Sequence, residues 1–300
     1  MRKLIVLGVV GLIAQLIDGS LGMGYGVTSS TLLLAAGVAP AAASAAVHFS
    51  EIGTSLVSGA SHHKFGNVDW RTVSILAIPG FIGAFLGATL LSHMDAAIAK
   101  PLVSVILLAL GFYVVYRFLR LGGARPTFKG RPTVAFLAPM GLVAGTLDAV
   151  GGGGWGPVGT TSLLSSGRLE PRKVVGSIDT SEFVVAIGAS LGFLFGLGSA
   201  GINWGYAGAL LAGGVIAAPI AAWLVKRLAA RVLGVAAGGM IILTNSKTLL
   251  EAVGVPGVGV AVTAAVVFVA WITGIVWAVK QERISRAARD DERELESATA

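Results

Sequence analysis

The chain contains no cysteine, which excludes a disulfide framework, an iron–sulfur centre and any thiolate metal site. It also has little charge. Only 12% of its 300 residues are Asp, Glu, Lys or Arg, against 55% hydrophobic, and the mean hydropathy is +0.83. A soluble chain of this length needs far more polar surface, so the composition specifies an integral membrane protein. The four histidines, His48, His62, His63 and His93, form no metal motif by spacing. There is no G-K-[S/T] element, and the glycine runs GMGYG and GGGGWG lack the G-x-G-x-x-G spacing and follow no predicted strand, so a nucleotide loop is excluded. Energy for any transport must then come from a gradient or a partner.

A net charge of +7 would suit nucleic acid, but the basic residues fall between apolar spans rather than in one patch with aromatics. They read as topology determinants. The start MRKLIVLGVVGLIA has the basic and apolar regions of a signal peptide; it is read as retained, because from Gly11 onward it belongs to a repeat.

That repeat is the chain's main feature. GLIAQLIDGSLGMGYGVTSSTLLLAAG from Gly11 returns as GLVAGTLDAVGGGGWGPVGTTSLLSSG from Gly141, with Asp18 over Asp148, Tyr25 over Trp155 and Thr31 over Thr161. Beyond one inserted residue, Pro40 falls on Pro171, Ser50 and Glu51 on Ser181 and Glu182, Asp69-Trp70 on Asn203-Trp204, and Gly80 on Gly214. Two related halves in an apolar chain are the mark of a transporter built around one central site.

Apolar runs long enough to cross a bilayer lie at 41–61, 72–91, 98–116, 174–197, 203–225, 231–250 and 257–280. The stretches 4–37 and 133–167 are broken at their centres by Gly22, Gly24 and Gly26, and by Gly151 to Gly154 and Gly156. Their second arms are too short to cross alone, so each is expected to be a re-entrant hairpin or broken helix. With the tail inside, 18 of the 22 Lys and Arg fall on the cytoplasmic side. The expected fold is an all-α integral membrane protein of two inverted-topology repeats, each a glycine-broken hairpin plus three transmembrane helices, with one extra C-terminal transmembrane helix. Full crossing by both hairpins would instead make the repeats parallel. The expected organisation is 1–120 for the first repeat, 121–132 for a basic cytoplasmic linker, 133–252 for the second repeat, 253–280 for the final helix and 281–300 for a charged cytoplasmic tail, either a frayed helix or disordered. The span 231–250 fits least well, because it ends in the polar TNSKTLLE.

A broken membrane helix exposes backbone N–H groups at the start of its second arm, and with the helix dipole these make an anion site without a lysine. The arms begin with Gly24, Tyr25, Gly26, Thr28, Ser29, Ser30 and Thr31 in one half and Gly154, Trp155, Gly156, Thr160, Thr161 and Ser162 in the other. Neutral donors allow release as well as capture of a small oxyanion. The plainer role for these small hydroxyl residues is close helix packing. A second constellation, His48, Ser50 and Glu51, is matched by Asp179, Ser181 and Glu182. Ionisable groups cost about 2.5–3.5 kcal/mol at a bilayer centre, so they need a partner or a wet cavity, and a protonatable carboxylate beside an anion can couple the two movements. Asp18 and Asp148, just before the breaks, are placed to cap the second arms. Pro157 suits helix initiation.

The paired G-x(6)-D-x(3)-G-G/M-G-Y/W-G blocks, each followed by T/S-T/S-x-L-L and then a proline and an S-E span, resemble the sulfite exporter TauE/SafE family, also called the 4-toluenesulfonate uptake permease family. The resemblance covers nearly the whole chain to about Val279. It implies a multi-pass inner-membrane transporter of sulfite, C2 sulfonates or related organosulfonates, usually exporting and often proton-coupled, with no cofactor and no enzymatic step. Its partners would be a small organosulfur anion, protons and the lipid bilayer. The first block departs from the pattern by carrying Leu21 and Met23 where the second has Gly151 and Gly153. An anion channel would share the hairpins. An intramembrane enzyme using Ser50-Glu51 or Ser181-Glu182 is the remote alternative, because both halves carry the pair, there is no cysteine, and the second repeat has Asp179 in place of His48.

Overall fold

The computed structural model describes residues 2–21, 23–120, 130–224 and 230–299. Met1, Gly22, most of the expected linker (121–129), the basic stretch 225–229 and Ala300 lie outside the described residues. Among the described residues the chain is helical throughout, with eleven α-helices, one short 3-10 turn at Ser199–Gly201 and no strand. The helices are α1 (Arg2–Leu21), α2 (Tyr25–Ala35), α3 (Pro40–Lys64), α4 (Trp70–Ser92), α5 (Ala96–Arg120), α6 (Val134–Gly151), α7 (Trp155–Ser166), α8 (Pro171–Leu197), α9 (Trp204–Leu224), α10 (Ala230–Ala252) and α11 (Gly257–Thr299). The order of α1 to α5 is thus repeated by α6 to α10.

Local sequence explains the boundaries. Pro40 and Pro171 open α3 and α8, where a missing N–H costs nothing. Asp69 caps α4 by accepting the Thr72 N–H at 2.8 Å. The glycine breaks stand between α1 and α2 and between α6 and α7, at Gly24 (φ 131°) and at Gly152 and Gly153 (φ 69° and 157°), a region other residues avoid.

Among the described residues six helices are long and apolar enough to cross a membrane: α4, α5, α6, α8, α9 and α11. The six differ from the expected seven in an informative way. Helix α6, expected as one arm of a hairpin, is itself long enough, at 18 residues or about 27 Å. Helices α3 and α10 are not among the six. On α3 the reason is a polar stripe, Ser44, His48, Glu51, Ser55, Ser58 and His62, at helical spacing and all buried. Such a helix faces protein rather than lipid, and α3 packs against α2, α4, α5, α6, α8 and α9. The second arms are short, with 11 residues in α2 and 12 in α7. The tail after Lys280, expected as a frayed helix or as disordered, is helical and continues α11 to Thr299.

The halves pack by exchange. Helix α1 lies along α9, and its counterpart α6 lies along α4. These pairs run parallel: Gly8 meets Ala209 and Gly19 meets Ala221, while Gly141 meets Leu76 and Gly87 meets Ala149. The counterparts α3 and α8 cross antiparallel, with Ser55 against Glu182 and Ser58 against Asp179. So do α5 and α10, with Gly111 against Ile241 and Val115 against Gly238. Glycine allows these close crossings where lipid supplies no hydrophobic drive between helices. Gly80 and Gly214 show the same exchange in detail. A Cβ on Gly80 would stand 2.7 Å from the Trp155 ring, and one on Gly214 would stand 3.2 Å from the Tyr25 ring, so each half keeps a glycine for the other's hairpin aromatic. Only 6% of the α11 span is buried, and α11 packs chiefly on α10, which leaves most of its apolar surface for lipid.

Candidate functional site

The two glycine breaks meet at the centre of the bundle. A Cβ on Gly26 would lie 2.7 Å from both the Gly152 oxygen and the Gly153 Cα, so the start of α2 rests on the break before α7. Ser30 Oγ donates to the Gly152 oxygen at 2.6 Å, and Ser44 Oγ donates to the Ala149 oxygen at 2.7 Å, locking the junction. Each short arm starts on a carboxylate from the arm before it. Asp148 Oδ1 accepts the Gly154 and Trp155 N–H groups at 2.7 and 3.0 Å, and Asp18 Oδ1 accepts the Tyr25 N–H at 3.2 Å. Two of the N–H groups that a helix start leaves unsatisfied are thereby taken in the second half.

The aromatics beside the breaks are buried and tied down. Tyr25 donates its hydroxyl to Ser50 Oγ at 3.0 Å, because the Ser50 hydroxyl itself donates to the Val47 oxygen at 2.6 Å. Trp155 Nε1 donates to the Ile178 oxygen at 3.2 Å, and Ser181 Oγ donates to the same oxygen at 2.9 Å. Both S-E spans therefore hold the other elements of the site through their serines and the turn before them.

The hydroxyl residues on the arms do different work. Thr28 Oγ1 and Ser29 Oγ are buried with no hydrogen-bond partner. Ser30 is used by the junction, and Thr31 Oγ1 accepts Asn245 Nδ2 at 2.8 Å. In the second half Thr160 is buried, Thr161 donates to the Pro157 oxygen one turn back, and Ser162 is half-buried. Gly156 is buried beside Trp155, and Gly24 is half-buried at the start of α2.

Two triads of ionisable side chains flank the junction. His48, Glu51 and Asp148 form one, Asp179, Glu182 and Asp18 the other, and in each the ligating atoms lie within 4.8 Å of one another. The triads occupy matching positions of the two halves, each taking two residues from the central helix of one half and one from the hairpin of the other. In the first, His48 Nδ1 lies 2.7 Å from Glu51 Oε2 and His48 Nε2 lies 3.3 Å from the Asp148 carbonyl oxygen. In the second, Ser55 donates to Glu182 at 3.1 Å, Ser58 donates to Asp179 at 2.8 Å, and His62 Nε2 lies 3.3 Å from Asp179 Oδ2. All six triad members are buried.

Four residues of this region escaped the sequence reading. Ser55, Ser58 and His62 follow Glu51 at helical spacing, and a polar stripe on a membrane helix was the signal for them. Asn245 lies in the polar TNSK of α10, which looked like a flaw in a span; it is buried and turned inward to Thr31.

A buried bundle of broken helices with ionisable side chains at their junction, carried by several apolar spans, defines a multi-pass membrane transporter. The chain belongs to the sulfite exporter TauE/SafE family, whose model matches residues 7–248. It is 53% identical over 260 residues to a Bacillus subtilis (strain 168) protein named "Probable membrane transporter protein YtnM", covering 84% of each chain. A Haemophilus influenzae (strain ATCC 51907 / DSM 11121 / KW20 / Rd) protein named "Probable membrane transporter protein" is 30% identical over 113 residues, which is 38% of this chain and 44% of that one. No solved structure matches the chain.

Proposed function

We infer that the protein is a secondary transporter that exports small sulfur-containing anions, sulfite or C2 sulfonates and related organosulfonates, across the plasma membrane with proton coupling, and with its C-terminus in the cytoplasm. The family supports the sulfur chemistry. The site supports a small oxyanion: it has two half-helix starts, whose first N–H groups are held by Asp18 and Asp148, and beside them neutral hydroxyls, which suit a group that must be captured and then let go. The observation that carries this reading is the pair of buried, unpartnered hydroxyls Thr28 Oγ1 and Ser29 Oγ on the arm that meets the opposite glycine break. A buried hydroxyl with no partner costs about 1–3 kcal/mol, which a bound acceptor would relieve.

Inverted repeats are supported by the antiparallel crossing of counterparts, α3 on α8 and α5 on α10. A two-fold relation that brings a spanning helix antiparallel to its own counterpart reverses topology across the membrane. Re-entry of the hairpins is supported by the short second arms and by the path of α2, which starts where Tyr25 meets Ser50 in mid-α3 and leads back to the α3 start at Pro40. Coupling rests on the two triads, in which His48, Glu51, Asp179 and Glu182 can take and release protons beside the anion, while Ser50 and Ser181 hold the helix turns that carry them.

The test is binding of radiolabelled sulfite to purified protein carrying Thr28→Val with Ser29→Ala. Affinity falls about tenfold or more, by about 1.4 kcal/mol, while the melting temperature stays at or above that of the parent. Unchanged affinity removes these hydroxyls from the site. The same measurement on Thr31→Val with Thr161→Val separates hydroxyls engaged in the fold from those that meet the anion.

A further inference from the structure

His62 is a buried ionisable group with no part in the anion site or in the helix caps. It is 4% exposed in the last turn of α3, while its neighbours His63 and Lys64 are exposed. Its two ring nitrogens meet different groups. Nε2 lies 3.3 Å from Asp179 Oδ2 and has no hydrogen-bond partner, whereas Nδ1 lies 3.5 Å from Asn67 Nδ2. Asn67 belongs to the loop between α3 and α4, which is fixed on α8. There the Asp69 N–H donates to Ser177 Oγ at 2.9 Å, and a Cβ on Gly176 would strike the Asn67 carbonyl. This end of the bundle is charged: Arg131 and Lys173 stand near Asp69, and Arg71 donates to the Pro132 oxygen at 3.1 Å. His62 therefore lies between a charged, exposed end of the bundle and the acids within it.

Inward from His62 the polar path continues. Ser58 Oγ donates to the same Asp179 Oδ2 at 2.8 Å, and Ser55 Oγ donates to Glu182 Oε2 at 3.1 Å. Asp18 joins these acids, one oxygen of each carboxylate lying within 4.8 Å of the others. Positions 55, 58 and 62 are three and four apart, so one face of α3 lines the way from the acids to the loop.

The other half lacks such a path. In the register of the repeat Ala186, Ala189 and Phe193 take the places of Ser55, Ser58 and His62, and Gly201, counted back from Asn203 over Asp69, takes that of Asn67. Phe193 is buried and stacks on His48 with ring centroids 6.0 Å apart, so an apolar ring stands where the other half has an imidazole.

We propose that His62 is the relay through which protons pass between the exposed end of α3 and the acids Asp179, Glu182 and Asp18, and that the first triad has no matching exit along α8. A histidine suits the task because one ring nitrogen can gain a proton as the other gives one up. A proton arriving from the loop binds at Nδ1 and another leaves Nε2 for Asp179 Oδ2, so the ring holds as many protons after the step as before. Rotation of the ring, or the reverse passage, restores the starting form. The relay rests on the proton-coupled reading and deepens it, by placing access to the second triad on the side of Lys64 and Arg71.

The experiment is a rapid downward pH jump on the purified full chain in detergent, with the infrared carbonyl band of carboxylic acids removed from water followed in time. It reads protons reaching the buried acids whether or not the protein carries sulfite. Protonation should be about a hundredfold slower in His62→Gln and His62→Ala than in the parent, unchanged in His63→Gln, and restored in His62→Ala by added imidazole. Should these variants fail to fold, His62→Phe, which copies the residue at the matching place in α8, carries the test. Parent-like protonation in a folded His62 variant, equal slowing in His63→Gln, or slowing that imidazole leaves untouched overturns the proposal. Sulfite flux into proteoliposomes is measured alongside. Slowed protonation with no sulfite flux in the parent keeps the relay and removes the anion assignment, whereas sulfite flux in the parent with parent-like protonation in His62→Gln does the reverse.

Discussion

The two triads are the same layout filled differently, and the difference lies in the helices that face them. Where the first half has His48, the second has Asp179; where α8 sets Phe193 against His48, with ring centroids 6.0 Å apart, α3 sets His62 against Asp179. One imidazole therefore serves each cluster, but from opposite sides of the crossing. Helix α3 carries donors for its neighbour's acids at Ser55 and Ser58, while the matching positions of α8 are Ala186 and Ala189. A duplicated scaffold has thus kept its acid positions in both halves and concentrated its hydroxyl and imidazole donors in one helix. That is how a symmetric frame acquires two unequal clusters of ionisable side chains.

The largest effect in this comparison comes from removing the caps. Asp148→Ala leaves the Gly154 and Trp155 N–H groups unpaired, at about 1–3 kcal/mol each, whereas Asp18→Ala orphans the Tyr25 N–H among the described residues. Melting temperatures in detergent should fall more for Asp148→Ala than for Asp18→Ala, and equal falls would erase the inequality of the two breaks.

Next is the glycine exchange. Gly80→Val drives a side chain into the Trp155 ring and Val185, and Gly214→Val drives one into Thr54 and the Tyr25 ring, each at about 1–3 kcal/mol of overpacking. Similar losses in both would sharpen the two-fold relation; a neutral result at either position would break it there.

A swap tests the clusters themselves. His48→Asp alone should lower gradient-driven uptake about tenfold, about 1.4 kcal/mol in barrier, and adding Phe193→His, which restores an imidazole from the opposite helix, should recover part of it. No recovery would mean that the two triads are not interchangeable designs.

The smallest effect is at the start of α4. Partial burial works against the charge on Asp69, yet the Thr72 N–H and the neighbouring Arg131 and Lys173 hold its carboxyl below the ordinary value of 3.8. A depressed carboxyl contributes stability above its ordinary value and loses that contribution as pH falls through the depressed one. Asn203 stands in the same place before α9 and carries no charge, though its Oδ1 still accepts the Tyr206 N–H at 3.1 Å. Asp69→Asn should therefore cost at most about 1 kcal/mol near neutrality and flatten the fall of melting temperature in acid; an unaltered acid profile would exclude Asp69 as its source.

Repetition in the sequence led to the residues shared by both halves: the glycine breaks, Asp18 and Asp148, Glu51 and Glu182, Tyr25 and Trp155. These lie together in space because a two-fold frame gathers equivalent positions around its axis. Repetition is blind to what the halves do not share. Ser55, Ser58 and His62 fall on Ala186, Ala189 and Phe193 in the register of the repeat, so no polar counterpart draws attention to them, and hydropathy hid them further, since a helix wrapped in protein needs no apolar surface. The same physics kept α3 out of the apolar spans although it stands at the centre of the bundle. The length of α6 was hidden for another reason: a glycine break in mid-segment made 133–167 read as one hairpin, whereas its first arm alone is an 18-residue helix that continues to the edge of the break.

The most direct test of the central claim is uptake of radiolabelled sulfite, and of a C2 sulfonate in competition with it, into proteoliposomes with and without an imposed pH gradient. The parent protein and the Glu51→Gln, Glu182→Gln double variant are compared. The account predicts gradient-stimulated uptake of both anions in the parent, mutual competition, and loss of the stimulation in the variant. Flux that ignores the gradient and survives in the variant would describe a channel, and absence of flux for both anions in the parent would contradict the assignment of their class.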